Sequence, residues 1–359
     1  MSKHRQRRNT IESKGNYCSI NKFPKTSNVS YKYTWGVQTI PQSDHEMHFL
    51  STLLTLCAAI PFSFAHRVGH NKYLQVDVFH LPEKDIVYQN ASLRYSPSAF
   101  TLVHTAKEAV LVDAPTVAED GAHLADWIAT TIPGKKLKYI YITHAHADHF
   151  NAFPQIQQKF PEAQVVTTQK VLQHMPAQYG YPLWDIFWVG LFPSLKKADL
   201  SLVHALPPSV KFTIKSAKGK KHEFRAIEVG EGDTEDSTVL HVPDIDLIVG
   251  GDVVYGHCYQ YLAENPTLDL RKQWIASLDK IKSLKPKVVV PSHMQASEGY
   301  GAEHLEQTQA YIEGWESLLA KAKSWEELES LAKKRWPDRI GSYILRYTAQ
   351  TFFNATFGE

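Results

Sequence analysis

Residues 141 to 150 read YITHAHADHF, which sets His144, His146, Asp148 and His149 within six positions. Histidine supplies 18 of the 359 residues, so three of them beside an aspartate in one short stretch is not an effect of composition. Imidazole nitrogens and carboxylate oxygens together are donors that zinc and other borderline divalent cations take. A solvated polar loop is the bland alternative, and the density of donors argues against it.

The elements around this stretch must hold it in place. LKYIYIT (137–143) reads as a strand rich in β-branched and aromatic residues. Residues i and i+2 of a strand share a face. His144 and His146 therefore leave its end together, and Asp148 and His149 follow as the chain turns. From about residue 72, strands and helices alternate. LQVDVFHL (74–81) is a half-buried strand. SAFTLVHTAKEAVLVDAP (98–115) reads as a hairpin ending near Asp113. AHLADWIATTI has helical spacing and stops at Pro133-Gly134. PQIQQKF and QKVLQHM read as short helices on either side of the strand AQVVTT. SVKFTIKS, HEFRAIEVG, STVLHVP and DLIVGGD read as strands, LRKQWIASLDKIKSL as an amphipathic helix, and KVVVPSH as a last strand. Residues 303–335 are helical. The two halves are alike in kind, each β-rich, then helical, then a strand ending in histidine.

Composition narrows the classes. With 43% hydrophobic residues the chain can bury a sizeable core. A net charge of +2 gives no basic footprint for nucleic acid. Cys18, Cys57 and Cys258 lie far apart, so there is no C-x-x-C motif. Residues 1–46 are basic, polar and without apolar periodicity, and read as a disordered tail. Residues 47–65 carry an apolar run, Pro61 and a small-x-small end at Ser63-Phe64-Ala65, and resemble a secretory signal peptide. The run is too short and too Pro-broken for a membrane span. Secretion is the expectation, with a cytoplasmic enzyme as the alternative. The sequons Asn90-Ala91-Ser92 and Asn354-Ala355-Thr356 agree with it weakly. Residues 66–359 form the remaining domain, ending in helices.

THAHADH matches the H-x-H-x-D-H signature, and in this the chain resembles the metallo-β-lactamase-fold hydrolases. The order of later motifs agrees over roughly residues 72 to 300. AVLVDAP resembles the strand ending in the family's structural aspartate, here Asp113. DLIVGGD resembles the strand that delivers the metal-bridging aspartate, Asp252, and VVVPSH the one that delivers the last histidine, His293. The resemblance implies an α/β fold, a four-layer αββα sandwich. It implies two divalent metal ions, zinc first, with His144 and His146 on one, Asp148, His149 and His293 on the other, and Asp252 between them.

The chain departs from the pattern at one ligand. A Gly-His-Thr turn completes the first metal site in the family, and here VGEGDTEDSTVLHVP stands in its place. Spacing to TVLHVP puts Asp233 at the histidine position. A register with two more loop residues puts Glu231 there. Either is an oxygen donor, which also suits manganese or iron and leaves open a single metal. His241 lies past the turn, within a strand, and reads as structural.

Two cations a few ångströms apart ionise a shared water at neutral pH. The expected function is therefore a metallo-hydrolase whose metal-bound hydroxide opens an ester, lactone, lactam or thioester, with Asp148 orienting the nucleophile. Cys258 is expected to be buried rather than catalytic. Residues 177–195 are aromatic and loop-like, and Trp184 and Trp188 are candidates for the wall of an apolar or aromatic substrate pocket, alongside Tyr179, Tyr181 and Phe187. Tyr255 and His257 follow Asp252 and are candidates to touch substrate, as is Tyr259. The expected partner is a small molecule, with neither nucleic acid nor, after signal removal, membrane. An iron-dependent oxidoreductase on the same fold and a binding protein with a degenerate metal site are the rivals.

Overall fold

Strand β1 (His66–His70) begins a seven-stranded sheet. β2 (Gln75–Leu81) pairs antiparallel with it, and a separate ribbon of β3 (Lys84–Tyr88) and β4 (Ala91–Tyr95) follows. β5 (Ser98–His104) and β6 (Glu108–Val112) are the expected hairpin, joined through Lys107. Then α1 (Ala118–Thr131) crosses over to β7 (Lys136–Tyr141), α2 (Phe153–Lys159) to β8 (Gln164–Thr167), and α3 (Gln169–His174) and α4 (Val189–Leu191) precede β9 (Val203–Ala205). The order is β1-β2-β5-β6-β7-β8-β9, parallel from β6 onward.

The second sheet is β10 (Lys211–Lys215), β11 (Lys221–Gly230), β12 (Ser237–Val242), β13 (Leu247–Val249) and β14 (Val288–Val290), in chain order. Its last pair is parallel because α5 (Leu268–Ser283) makes the crossover. Helices α6 (Glu303–Leu319), α7 (Trp325–Arg335) and α8 (Ser342–Thr351) complete the chain. This computed structural model describes residues 66–355, all within one compact unit. The basic segment 1–46 and the signal-like segment 47–65 lie outside the described residues. Among those described, no helix is long and apolar enough to cross a membrane.

Strand alternation builds the layers. In β6, Val110 and Val112 face the second sheet, where Phe224, Leu240 and Val249 meet them. Ala109 and Leu111 face the other way, onto Leu124 and Ile128 of α1 and Phe153 and Ile156 of α2. Both faces are buried, which is why such strands read as nearly continuous apolar runs. The outer face of the second sheet receives Trp274 and Leu278 of α5 and Tyr311 and Trp315 of α6. The result is the expected αββα sandwich.

The aromatic segment expected to be loop-like is turned instead. It has a 3-10 turn over Met175–Tyr179, a π-helical turn over Leu183–Trp188, and then α4. The β3–β4 ribbon and α8 were not legible in the sequence, and both reach the site.

Both sheets send strand ends to one edge. The Cβ that Gly251 lacks would lie 2.8 Å from Thr143 Oγ1, and Gly251 has φ +51. Glycine is therefore needed where the loop after β13 meets the end of β7. Backbone bonds lock the same edge. Thr238 N–H donates to Thr143 O (3.1 Å), Ser292 N–H to Gly251 O (3.2 Å) and Ala99 N–H to Ser292 O (2.7 Å).

Candidate metal centre

Seven side chains converge at this edge. His144, His146 and Asp233 form one triad of donors, and Asp148, His149 and His293 another. Asp252 joins His144 and His149 in a third, and within each triad the donor atoms lie within 4.8 Å of one another. His146 Nδ1 is 3.0 Å from Asp233 Oδ2. Asp252 Oδ1 is 3.3 Å from His149 Nε2, and its Oδ2 is 3.1 Å from His293 Nε2. Asp252 thus lies between the two triads.

Each histidine is fixed by a bond to its other ring nitrogen. His144 Nδ1 meets Thr143 Oγ1 at 2.9 Å, and His149 Nδ1 meets Asp113 Oδ2 at 3.0 Å. His146 Nε2 meets Glu264 Oε1 at 3.0 Å, and His293 Nδ1 donates to Pro97 O at 2.7 Å. Such outer bonds set the tautomer and aim the remaining nitrogen inward. Asp113, the aspartate expected to be structural, is wholly buried with φ +64. Its carboxylate accepts the Thr143 N–H (2.8 Å) and hydroxyl (2.9 Å), so the strained residue at the end of β6 anchors the turn after β7.

What is left unsatisfied tests whether this donor set fits a cation. His144 Nε2, His149 Nε2, Asp252 Oδ1 and both oxygens of Asp233 are buried without a hydrogen-bond partner. Buried polar atoms are ordinarily paired. Five orphans at one point, all nitrogen or carboxylate oxygen, are what a cation site leaves when described by its protein atoms alone. The residues fit divalent metal.

The electrostatics agree. Burial pushes the Asp233 carboxyl up to about 7, with the Asp252 charge adding to it and His146 opposing. Burial holds His144 well below the ordinary imidazole value. For His293, burial acts downward, but Asp252 and Asp148 more than offset it and raise the group to about 10. Asp148 and Asp252 are lowered because the neighbouring His149 and His293 outweigh their burial. Carboxylates and imidazoles are thus crowded into mutual compensation.

Of the two residues proposed as third donor, Asp233 is the one brought to the triad. Glu231 accepts from Asn265 Nδ2 (2.7 Å) and is in none of the donor groups. A β-bulge between Glu228 and Gly230 shifts the register of the preceding strand, which spacing alone could not reveal.

Three outer residues went unread. Tyr95, at the end of β4, donates to Asp148 Oδ2 (2.8 Å). Glu264 holds His146 and accepts from the Thr234 hydroxyl at 2.6 Å. Tyr261 stands edge-on to His146. Their bonds span long sequence separations and leave no local signature.

Five of the donors, His146, Asp148, Asp233, Asp252 and His293, floor a narrow cavity of about 30 Å³, walled by Phe187, Trp188, Leu183, Tyr95, Tyr261 and Ile344. Trp188 and Tyr255 are brought to it, and the Tyr255 hydroxyl donates to Asp252 Oδ2 (2.8 Å). Five candidates are not, Tyr179 among them. Trp184 is turned into the wall behind, edge-on to Tyr179 at 4.9 Å, because the π-helical turn points it away. His257 is exposed, its backbone N–H held by Glu298. Tyr181 is also exposed, and Tyr259 donates to Trp336 O. Cys258 is buried.

Comparison with known proteins follows the same lines. The family model described as the metallo-beta-lactamase superfamily matches residues 94–293. A nitric oxide reductase from Moorella thermoacetica is 33% identical over 72 residues, which is 20% of this chain and 18% of that protein. The chain thus matches under a fifth of that relative's length. Among solved structures, a metallo-beta-lactamase from Pontibacter korlensis has 21% identity and a TM-score of 0.49, covering 70% of this chain and 99% of its own. The metallo-beta-lactamase FIM-1 from Pseudomonas aeruginosa, in its mono-zinc form, has 15% identity and a TM-score of 0.48, covering 70% and 95%.

Proposed function

Because the chain belongs to the metallo-beta-lactamase superfamily, we propose that it is a metal-dependent hydrolase of small carbonyl substrates: esters, lactones, lactams or thioesters bearing an apolar or aromatic group. The observation that carries this reading is the convergence of unpartnered buried donors on the floor of a cavity with aromatic walls. His144, His146 and Asp233 would hold one divalent ion, Asp148, His149 and His293 another, with Asp252 shared. Two such ions, zinc first, supply a water that ionises near neutral pH and an electrophile for the carbonyl oxygen.

The chain's own residues do the rest. Tyr95 fixes one Asp148 oxygen and leaves the other to hold a proton of the attacking water. Tyr255 does the same for Asp252. Glu264 keeps His146 in the tautomer that presents Nδ1 inward. Phe187 and Trp188 exclude water from the apolar side of the substrate.

The test is metal content together with turnover. Protein purified without chelator should hold close to two zinc ions per chain and cleave at least one of a panel of aryl esters, lactones and lactams, with chelator abolishing turnover. A metal-loaded protein inert to the whole panel overturns the reading.

A carboxylate at Asp233 in place of a histidine makes the donor set richer in oxygen, and that favours a second reading, iron-dependent redox chemistry. The partial match to a nitric oxide reductase points the same way. Iron as the purified metal, with oxygen or nitric oxide consumed and no ester cleaved, would put it first.

A further inference from the structure

Beside the metal cavity lies a second, wider cleft of about 380 Å³, and the two share Gln178, Leu183, Tyr261 and Glu264 as common wall. Among the described residues, neither lining contains a lysine or an arginine. The inner cavity carries the carboxylates of Asp148, Asp233 and Asp252, all ligand candidates, and that of Glu264, which is not one. The outer cleft adds Glu235.

Two divalent ions bring four positive charges. Three aspartates and an ionised water return four negative ones, so the loaded donor set is close to neutral. The charge left facing the substrate is then that of Glu264 and Glu235. Once His146 holds a metal, Glu264 receives neutral donors, the Thr234 hydroxyl and the His146 ring, and among the described residues no Lys or Arg pairs with it. Its side chain is 36% exposed, at the junction of the two spaces. Glu235 is 67% exposed, 3.3 Å from His174, which also contacts Asp236 at 3.0 Å. One imidazole between two carboxylates leaves that rim negative, even with Lys170 on the far oxygen of Asp236. Beside these carboxylates, Tyr261 and Tyr347 lie stacked, 6.1 Å apart and 11° from parallel, and both line the outer cleft. A cleft lined by carboxylates and aromatic rings, with no lysine or arginine, is the chemistry that holds an ammonium group.

We propose that the outer cleft is a cation subsite, so that the enzyme selects carbonyl substrates bearing an ammonium group on the part away from the scissile bond and rejects those bearing a carboxylate or sulfonate. This rests on the hydrolase reading for the word substrate, though not for the binding itself. An anionic group on the part away from the scissile bond meets Glu235 and Glu264 with no lysine or arginine in either lining to receive it. Each unit charge at such range in a partly wet cleft is worth about a tenfold change in affinity.

The experiment uses the zinc-loaded full chain and two measurements. The first is calorimetric titration with three aryl probes of matched size: benzyltrimethylammonium, benzyl alcohol and benzenesulfonate. The second is kcat/KM on three aryl esters that differ only in a remote trimethylammonium, hydroxyl or sulfonate group. The expected order is cation, then neutral, then anion, with about tenfold between cation and neutral. Glu235→Lys, on the rim, should collapse that order, lowering the cationic ester about tenfold relative to the neutral one. Glu235→Gln should do so in part. Cation-first binding that Glu235→Lys abolishes, with no ester cleaved, supports the subsite and removes aryl esters from the hydrolase reading. Esters cleaved without charge preference, or with the anion first, overturn the subsite and leave the hydrolase standing. A cation preference that survives Glu235→Lys intact also overturns the subsite as placed.

Discussion

A buried carboxylate with no hydrogen bond, its close partner only the His146 ring at 3.0 Å, is costly to fold around, and Asp233 is one. Burial raises its carboxyl to about 7, so at pH 8 the metal-free protein must ionise a group that the fold would keep neutral. A folded value some three units above the unfolded one amounts to about 2–4 kcal/mol of lost stability at that pH. Asp233→Asn removes the charge without opening a cavity. The variant should therefore melt higher than wild type when both are stripped by chelator at pH 8, and lower when both are offered zinc. Thermal unfolding of the four samples checks it. A stripped variant that melts lower would mean that Asp233 is held by something other than the need for a cation. The same residue shows where the sequence stops speaking. His144 to His149 were legible because one turn, with donors at fixed local offsets, makes the constellation. Asp233 competed with Glu231 because the bulge in β11 decides which of them reaches the triad, and a bulge has no composition of its own. Glu264 and Tyr95 touch His146 and Asp148 across 118 and 53 residues, so only the fold brings them there.

At the scale of elements, the site depends on two strand ends meeting with no room to spare. Gly251 has positive φ and lies where a Cβ would strike Thr143, whose hydroxyl holds both Asp113 and His144. Gly251→Ala should cost about 2–4 kcal/mol, the sum of left-handed strain and overpacking. Because the neighbour it pushes is Thr143, zinc content should fall as well. Gly299→Ala is the matched control, since a Cβ there meets nothing within 4 Å. Denaturant unfolding and metal analysis of both variants check the claim, and equal losses in the two would sink it. The strands that make this meeting were readable from their β-branched runs. The elements that finish the cavity were not. β3 and β4 are five residues each, and their buried positions, Ile86 in one and Leu93 and Tyr95 in the other, make too short a run to stand out. Helix α8 carries tyrosine and threonine, which are weak helix formers. It is held by packing, with Tyr343 edge-on to Tyr88 at 5.1 Å and Tyr347 edge-on to Phe187 at 4.9 Å. Tertiary contact, not local preference, makes it a wall of the site.

For the molecule as a whole, the seven convergent donors set how stability depends on pH. The Asp233 contribution is complete below the unfolded carboxyl value near 4 and disappears as pH rises through about 7. His293, raised by Asp252 and Asp148 against its burial, contributes fully below the ordinary imidazole value and is lost as pH rises through about 10. Asp148 and Asp252 are lowered, so their contribution is present above the ordinary carboxyl value and is lost only in strong acid. The metal-free fold should thus be most stable just above about pH 4, and weaken as pH rises through about 7 and on toward about 9. Metal reverses the slope. Its ligands must be ionised carboxylates and neutral imidazoles, so binding displaces protons and tightens as pH rises. Stabilisation by a ligand grows with the logarithm of its concentration over Kd. The gap in Tm between zinc-loaded and chelator-stripped protein should therefore widen from pH 5.5 through 7 to 8.5, with most of the widening coming from the stripped protein melting earlier. Scanning calorimetry at three pH values and fixed free zinc measures both curves. A gap that stays flat would mean that the crowded carboxylates and imidazoles are already compensated by each other, and that the seven convergent side chains form a structural charge network rather than a metal centre.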